Sequence, residues 1–316
     1  MKVRLSTFML WLTLAHLFGA GLARAQVEVQ PLAARLGYPA DAKLLIVHAD
    51  DLGAAHSVNA ATFKAFETGL VNSASLMVPC PWLPEAAAYA RQHPEADLGL
   101  HLTLTSEWKT YRWGGVLSKE RAPSLYAPDG YLYPTEDVAA ARIDVREAEA
   151  EVRAQIERAR AFGISPTHLD AHMRTLHQTR PLFEMFLRVA RAERLPALVS
   201  REWFARWPFL PEVLGADGIV VDRVIDVDPS VPPARWAEVY GGLIKDLKPG
   251  VTQLIVHLAY DDEEMRAVAL DHPDWGAAWR QRDFDFVTSE TFRKLLKEQN
   301  VKLVTWREIG KLLAKQ

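Results

Sequence analysis

The sequence predicts a parallel α/β architecture on three observations. Short apolar runs alternate with amphipathic segments along most of the chain, which is the order of a sheet built from β-α-β units. Glycine and proline separate the segments, and several apolar runs end in aspartate or histidine. With 316 residues, 49% of them hydrophobic, the chain can bury a large core, as one α/β barrel or as two domains.

The first 25 residues have the features of a secretory signal peptide. Lys2 and Arg4 supply positive charge, residues 8–22 are mostly apolar, and residues 23–25 fit a small-x-small cleavage site. A membrane anchor is the alternative, but the apolar segment is short for a span and no stop-transfer flank follows it. We expect cleavage before Gln26 and an exported protein, periplasmic or secreted, with no stable membrane span.

The charge balance argues against nucleic acid as a partner. Lys2, Arg4 and Arg24 are the only charged residues among the first 25, so cleavage changes the formal net charge from −3 to −6. An acidic chain lacks the basic footprint of nucleic-acid binders. Cys80 is the only cysteine, so an intramolecular disulfide cannot form. The oligomeric state stays open, and a homo-oligomer is compatible with the sequence.

The predicted elements begin after an irregular lead-in at residues 26–42. Residues 44–53, LLIVHADDLG, start as an apolar run and end in charge, which predicts a buried strand. Neighbouring strand residues point to opposite faces, so Asp50 and Asp51 share a pocket only if the strand breaks there, which Gly53 permits. Helices are then predicted at 57–68 and 83–92, and strands at 73–78 and 98–103.

Residues 105–135 are the least regular stretch and are rich in aromatic side chains. Such a loop either stacks on sugar rings beside a site or packs against its own protein, and both interpretations stay open. The acidic run 261–264 is predicted to be a solvated loop. The remaining pattern predicts helices at 137–162, 181–193, 234–247, 289–298 and 306–313, and strands at 166–169, 197–200, 218–225, 253–257 and 302–305.

Four apolar runs end in residues that can bind a metal or carry a proton: Asp50 with Asp51, His101, His172 and His257. A parallel barrel places the C-terminal ends of distant strands in one ring, where reactive side chains lie. One buried histidine is more often a core residue than a ligand, but four strand ends with this feature indicate a shared site. One carboxylate and two imidazoles suit a divalent ion that keeps positions open for water and substrate.

These residues lie in four short blocks, HADDLG at 48–53, GLHLT at 99–103, PTHLDAH at 166–172 and HLAYDD at 257–262. In this order the first three resemble the signature blocks of the YdjC-like (ChbG-type) carbohydrate deacetylase family, and the fourth resembles its His-Pro-Gly-Tyr block. The resemblance implies a single domain over residues 43–316 with a distorted (β/α) barrel fold. It also implies removal of acetyl groups from N-acetylated sugars or glycans with a divalent metal, Mg²⁺ or Zn²⁺.

Carried over by position, the resemblance implies Asp51, His101 and His172 as metal ligands. It implies Asp50 as general base and His257 as general acid. In such chemistry the metal acidifies a water and polarises the amide carbonyl, the base takes the proton of the water, and the acid protonates the leaving amine.

Three weaker candidates have structural alternatives. His168 is expected to support the site or the fold rather than bind metal. Asp170 could orient a ligand imidazole or only cap a turn. Arg282 could reach substrate, although a surface salt bridge is the alternative. Four other histidines are predicted to be structural or solvated: His48, His56, His93 and His272.

The sequence also departs from the family pattern. Residues 173–176, MRTL, stand where further histidines follow the third block, with His177 displaced, and Leu258 and Ala259 replace Pro-Gly. A divergent substrate pocket is therefore expected. Two other classes stay open: a metal-dependent hydrolase of another bond, such as a phosphoester, and a non-catalytic exported sugar-binding barrel.

Overall fold

One curled sheet of seven strands runs through the computed structural model, which describes residues 28–313. The strands are β1 (Lys43–Leu52), β2 (Ser73–Leu76), β3 (Leu98–Leu102), β4 (Leu169–Ala171), β5 (Arg223–Ile225), β6 (Gly250–His257) and β7 (Val301–Leu303). Their order is β4-β3-β2-β1-β6-β5, β7 pairs with the start of β1, and all of these pairs are parallel. The predicted signal peptide lies outside the described residues.

The sheet closes only loosely between β4 and β5. Single parallel bridges join Leu169 to Ala197 and Ser200 to Val221. The strand predicted at 197–200 is reduced to these two bridges, so the barrel is distorted on this side. The predicted fold class, one α/β domain with a distorted barrel of parallel strands, is confirmed.

Helices surround the sheet: α1 (Leu32–Arg35), α2 (His56–Glu67), α3 (Leu83–Gln92), α4 (Glu136–Arg142), α5 (Val145–Ala161), α6 (Arg180–Glu193), α7 (Leu210–Leu214), α8 (Trp236–Lys245), α9 (Glu263–Val268), α10 (Ala277–Val287), α11 (Glu290–Glu298) and α12 (Trp306–Gly310). Most predicted elements are present, with ends shifted by a few residues. Within residues 28–313, no helix has the length and apolar character that crossing a membrane requires.

Three predicted elements are wrong in detail. Residues 137–162 form α4 and α5 rather than one helix, because the Asp144 side chain caps α5 by accepting from the backbone N–H groups of Arg146 (2.8 Å) and Glu147 (3.4 Å). The strand predicted at 166–169 begins only at residue 169. The acidic run at 261–264, predicted to be a solvated loop, instead leads into α9, where Asp262 caps the helix by accepting from the N–H of Met265 (2.9 Å). In addition, α10 has no counterpart in the prediction.

The aromatic loop, residues 105–135, is packed into the fold. Trp108 and Trp113 are 1% and 4% exposed, and the Trp113 indole donates to the carbonyl of Thr105 (2.8 Å). The buried Glu151 on α5 accepts from two N–H groups of the loop, at 2.7 and 2.8 Å. For both tryptophans the structure therefore supports the packing interpretation rather than sugar stacking.

Gly99 on β3 leaves room for a buried ring, and a side chain there is expected to destabilise the fold. A Cβ on Gly99 would lie 2.4 Å from Cε1 and Nε2 of His168, which is fully buried. We expect Gly99→Ala to lower the free energy of unfolding by about 1–3 kcal/mol, the range for overpacked cores.

Gly242→Ala is the matched control, because a Cβ on this glycine of α8 meets nothing within 4 Å. It is expected to raise the free energy of unfolding by about 0.5–1 kcal/mol, since alanine is the better helix former. Denaturant unfolding of both variants measures the difference. A Gly99→Ala protein as stable as the wild type would contradict the close contact.

Candidate active site

The C-terminal ends of β1, β3, β4 and β6 border a cavity of about 630 Å³. Asp50 and Asp51 lie near the end of β1, His101 lies on β3, and His257 ends β6, while His172 follows β4 directly. All five side chains line the cavity. The structure thus brings together residues that are up to 207 positions apart in the sequence.

The three predicted metal ligands have their donor atoms close together. Asp51 Oδ1 is 3.5 Å from His101 Nε2 and 3.4 Å from His172 Nδ1. Ligands about 2.0–2.2 Å from one ion are separated by about 2.8–3.6 Å in octahedral or tetrahedral geometry, so this spacing fits a divalent cation. Asp51 Oδ1 is buried without a hydrogen-bond partner, which leaves it available to such a cation.

A local irregularity of β1 lets two adjacent aspartates reach one cavity. The pairing of β1 with β2 shifts register between Ala49 and Leu52, and Asp51 has a φ of 68°, in the left-handed region. Aspartate tolerates that region better than most residues other than glycine. Gly53 follows with a φ of 91°. The expected break is therefore a bulge inside the strand.

Arg280 on α10 holds the second oxygen of Asp51, and the sequence analysis did not identify it. Its Nη2 donates to Asp51 Oδ2 (2.7 Å), and its Nε donates to the carbonyl of Trp275 (2.9 Å). Burial alone would raise the pKa of Asp51, but the Arg280 guanidinium, together with His172 and His257, outweighs burial and keeps that pKa well below its usual range. The predicted Arg282 points elsewhere, since its guanidinium carbon lies 5.1 Å from the ring centroid of Trp236.

His48 contacts the candidate base and is fully buried, so of the two predicted roles, structural or solvated, the solvated one is wrong. Its Nε2 lies 3.2 Å from Asp50 Oδ1 and 3.0 Å from Asp170 Oδ2, and its Nδ1 lies 2.9 Å from the Ser73 hydroxyl. Burial alone would lower the pKa of His48, but the two carboxylates raise it to about 10. His48 therefore carries positive charge between Asp50 and Asp170 at neutral pH.

Asp170 also orients His101. Its Oδ1 lies 2.7 Å from His101 Nδ1, which leaves Nε2 of that ring facing Asp51. This geometry supports the orienting interpretation of Asp170 rather than a turn cap. His168 lies in the packed interior, with Nδ1 3.0 Å from the Thr167 hydroxyl and its ring stacked on Trp306 at 5.1 Å.

Glu107 contacts the second imidazole of the triad, and the sequence analysis did not identify it either. Its Oε2 lies 3.0 Å from His172 Nε2. Burial alone would lower the pKa of His172, but Glu107 and Asp51 raise it to about 10. No periodic pattern in residues 105–135 indicates which side chain faces the cavity, so the sequence offered no signal for this contact.

His257 lies near the candidate base Asp50. Its Nε2 is 3.9 Å from Asp50 Oδ2, and its ring packs against Trp275 and Trp279 at centroid distances of 5.3 and 5.2 Å. Its backbone N–H donates to Asp283 (3.0 Å). Burial lowers the pKa of His257 although Asp51 and Asp50 oppose the shift, so its imidazole is neutral at neutral pH.

The segment that departs from the family pattern has an unusual backbone. Met173 and Arg174, directly after His172, have φ values of 50° and 54°. Arg174 pairs with Asp226 (3.4 Å) at the cavity, and the displaced His177 is buried among aromatic rings. Burial lowers the pKa of His177 to about 3, so its imidazole is uncharged.

Comparisons with known proteins agree with this picture. A family profile described as YdjC-like protein matches residues 44–298. A carbohydrate deacetylase of Thermus thermophilus is 32% identical over 285 residues, which cover 86% of this chain and 95% of that protein. A carbohydrate deacetylase of Geobacillus stearothermophilus is 31% identical over 272 residues, covering 84% and 98%.

A solved structure shares the fold. It is a protein of Enterococcus faecalis V583 with a provisional description as a cellobiose-phosphate cleavage protein. The two structures have a TM-score of 0.71 at 22% identity, covering 85% of this chain and 99% of the other.

Proposed function

The chain belongs to the YdjC-like protein family, and on that basis we propose that it is a metal-dependent deacetylase of N-acetylated carbohydrates. It would hydrolyse the amide C–N bond and release acetate. The observation that carries this proposal is the buried triad of Asp51, His101 and His172 beside the separate carboxylate of Asp50. The names of the two bacterial relatives support the same activity.

Asp51, His101 and His172 would hold the divalent ion. A metal bound there would lower the pKa of a water and polarise the amide carbonyl. Three protein donors leave coordination positions for water and substrate. Two imidazoles among three protein donors favour Zn²⁺ over Mg²⁺, which prefers oxygen ligands, so of the two expected metals Zn²⁺ is the better match to this set.

Asp50 and His257 are the proposed proton carriers. Asp50 Oδ2 lies 3.8 Å from His101 Nε2, so its carboxylate is beside the triad and can take a proton from a water there. The His48 imidazole, with Nε2 3.2 Å from Asp50 Oδ1, helps to hold this carboxylate in place beside the triad. His257, 3.9 Å from Asp50, can receive a proton from it and pass one to the leaving amine.

The cavity supports a carbohydrate as the substrate. Its volume of about 630 Å³ is within the usual range for small-molecule sites, 300–1,000 Å³. Trp203 and Trp275 line it and are half-buried, so both are candidates for contact with a sugar ring. Both lie outside the aromatic loop that the sequence analysis considered for this role.

Phosphoester hydrolysis has weaker support. A phosphate substrate would favour free cationic groups at the site. The two arginines that line the cavity are already paired, Arg280 with Asp51 (2.7 Å) and Arg174 with Asp226 (3.4 Å). A sugar-binding barrel without catalysis would not need Asp50 and His257 beside the triad.

An acetate-release screen tests the proposed function. Purified protein, loaded in turn with Zn²⁺ and Mg²⁺, is incubated with chito-oligosaccharides and other acetylated glycans, and acetate is measured. Chelation should abolish release, and added metal should restore it. Full activity of the metal-stripped protein on a verified substrate would overturn the scheme, and release of phosphate from sugar phosphates without acetate would favour the phosphoester alternative.

Metal binding is expected to strengthen as the pH rises. In the metal-free protein the pKa of His172 is raised to about 10, so its imidazole holds a proton at pH 7 that a metal ion must displace. Each displaced proton raises the apparent association constant by up to about tenfold per pH unit until the pH reaches that pKa. Calorimetric titrations between pH 6 and 9, in buffers of different ionisation enthalpy, measure the affinity and the proton release. A pH-independent affinity without proton release would contradict the prediction.

We also propose export of the protein, which rests on the pattern of residues 1–25. Amino-terminal sequencing of protein recovered from the periplasm or the medium should start at Gln26. An intact amino terminus on cytoplasmic protein would overturn this proposal.

A further inference from the structure

We propose that Glu107 is a positioning residue that holds the His172 imidazole with Nδ1 directed toward Asp51. The inference rests on the proposed metal site and adds a residue to it. Glu107 lies outside all four sequence blocks that resemble the family, so its role comes from the geometry of this chain.

The two nitrogens of His172 face two different carboxylates. Nδ1 lies 3.4 Å from Asp51 Oδ1, and Nε2 lies 3.0 Å from Glu107 Oε2. If Nε2 carries the proton and donates it to Glu107, the lone pair of Nδ1 is free for a metal ion. The carboxylate of Glu107 thus selects the tautomer that a ligand histidine needs.

The backbone around His172 provides little orientation by itself. His172 follows the three-residue strand β4, and Met173 and Arg174 after it are both in the left-handed region. The ring therefore stands where a short strand ends and a left-handed turn begins. Its direction depends on side-chain contacts, of which the one with Glu107 is the closest carboxylate contact at 3.0 Å.

The other imidazole of the triad has the same arrangement. His101 directs Nε2 toward Asp51 (3.5 Å) and Nδ1 toward Asp170 Oδ1 (2.7 Å). Each histidine thus has a carboxylate on the nitrogen away from Asp51. Carboxylates that hold a ligand histidine in this way fix the tautomer and ring direction, and their loss costs about 10–100-fold in metal affinity.

The aromatic loop gives Glu107 a fixed position. The hydroxyl of Ser106, the residue before Glu107, accepts from the backbone N–H of Trp113 (3.0 Å) and from Arg112 Nε (3.2 Å). Trp108, the residue after Glu107, is 1% exposed. The Glu107 side chain itself is 14% exposed. The aromatic loop, most of which packs into the fold, therefore holds Glu107 in place at the edge of the cavity.

Metal titrations of three variants test this inference, with Zn²⁺ and Mg²⁺ alone as the titrants. Glu107→Ala is expected to raise the metal dissociation constant by about 10–100-fold. Glu107→Gln, which keeps an oxygen that can accept from Nε2, is expected to lose less than about tenfold, a partial rescue. Asp226→Asn, the matched control, removes a carboxylate that lines the cavity without contacting His172 and should change the constant by less than twofold.

Nitrogen NMR of the imidazoles supplies a second readout that general destabilisation would not mimic. In the metal-loaded wild type, His172 should carry its proton on Nε2 and direct Nδ1 toward the metal, and the metal-loaded Glu107→Ala protein should show a mixture of the two ring orientations. Wild-type metal affinity in Glu107→Ala, equal losses in Glu107→Ala and Asp226→Asn, or a proton on Nδ1 would each overturn the inference. If Glu107→Ala does not fold, Glu107→Leu replaces it, and wild-type metal affinity in Glu107→Leu would overturn the inference.

The titrations separate this inference from the proposed function, because they need no substrate. Weaker metal binding in Glu107→Ala, together with no acetate release from any glycan by the wild type, would support Glu107 and refute the deacetylase. Acetate release by a wild type that binds neither metal would refute the positioning role.

Discussion

Asp51→Asn is expected to yield a protein without bound metal and to lower kcat/KM for acetate release by at least about 10³-fold. Asp51 Oδ1 is the donor that lies within 3.5 Å of both His101 Nε2 and His172 Nδ1, so the triad depends on its charge. Asparagine has nearly the same shape, and its amide oxygen can still accept from Arg280. Metal analysis after dialysis and the acetate assay measure the two effects.

The choice of asparagine keeps the experiment interpretable. Asp51→Ala would leave the buried guanidinium of Arg280 without its partner, at a cost of about 3–5 kcal/mol in stability. Asp226→Asn serves as the control for loss of a cavity carboxylate. Stoichiometric metal and wild-type turnover in Asp51→Asn would rule out Asp51 as a ligand.

Asp50→Asn is expected to retain the metal and to lower kcat by about 10²–10⁴-fold, the usual contribution of a general base. Asparagine cannot accept the proton of the attacking water, whereas the three proposed ligands remain in place. KM should change little, because the substitution removes a proton acceptor rather than a binding contact. Steady-state kinetics and metal analysis of the same preparation measure both properties.

The two neighbouring substitutions are therefore distinguished by whether the protein keeps its metal. Asp51→Asn should lose metal together with activity, and Asp50→Asn should lose activity alone. If Asp50→Asn also loses its metal, Asp50 belongs to the ligand set. If it keeps more than about one tenth of the wild-type kcat, another group must accept the proton.

The strand ends of the candidate site could be predicted because the signal is local. An apolar run that ends in aspartate or histidine marks both the strand and the residues at or near its C-terminal end, as at Asp50, His101 and His257. Parallel strands then bring those ends to one edge. The predicted convergence of remote residues needed no further tertiary information.

The supporting residues could not be predicted because each depends on a tertiary contact. Arg280 reaches Asp51 from α10, a helix with weak amphipathic character, whose pattern does not distinguish Arg280 from the predicted Arg282. Glu107 lies in a loop without periodicity, and His48 precedes the Asp pair on a strand that is buried on both faces. By contrast, the break between α4 and α5 had a local signal in the capping residue Asp144, which the single-helix prediction overlooked.

Asp170 serves two histidines at once, with one oxygen 2.7 Å from His101 and the other 3.0 Å from His48. A histidine beside the candidate base and a histidine of the proposed ligand set are therefore linked through a single carboxylate. A mutation that changes the contact of one imidazole with Asp170 also changes the contact of the other. The effects of substitutions at His48 and His101 are therefore expected to be non-additive. Laboratory evolution toward a new metal or a new working pH will meet this shared carboxylate as an epistatic constraint.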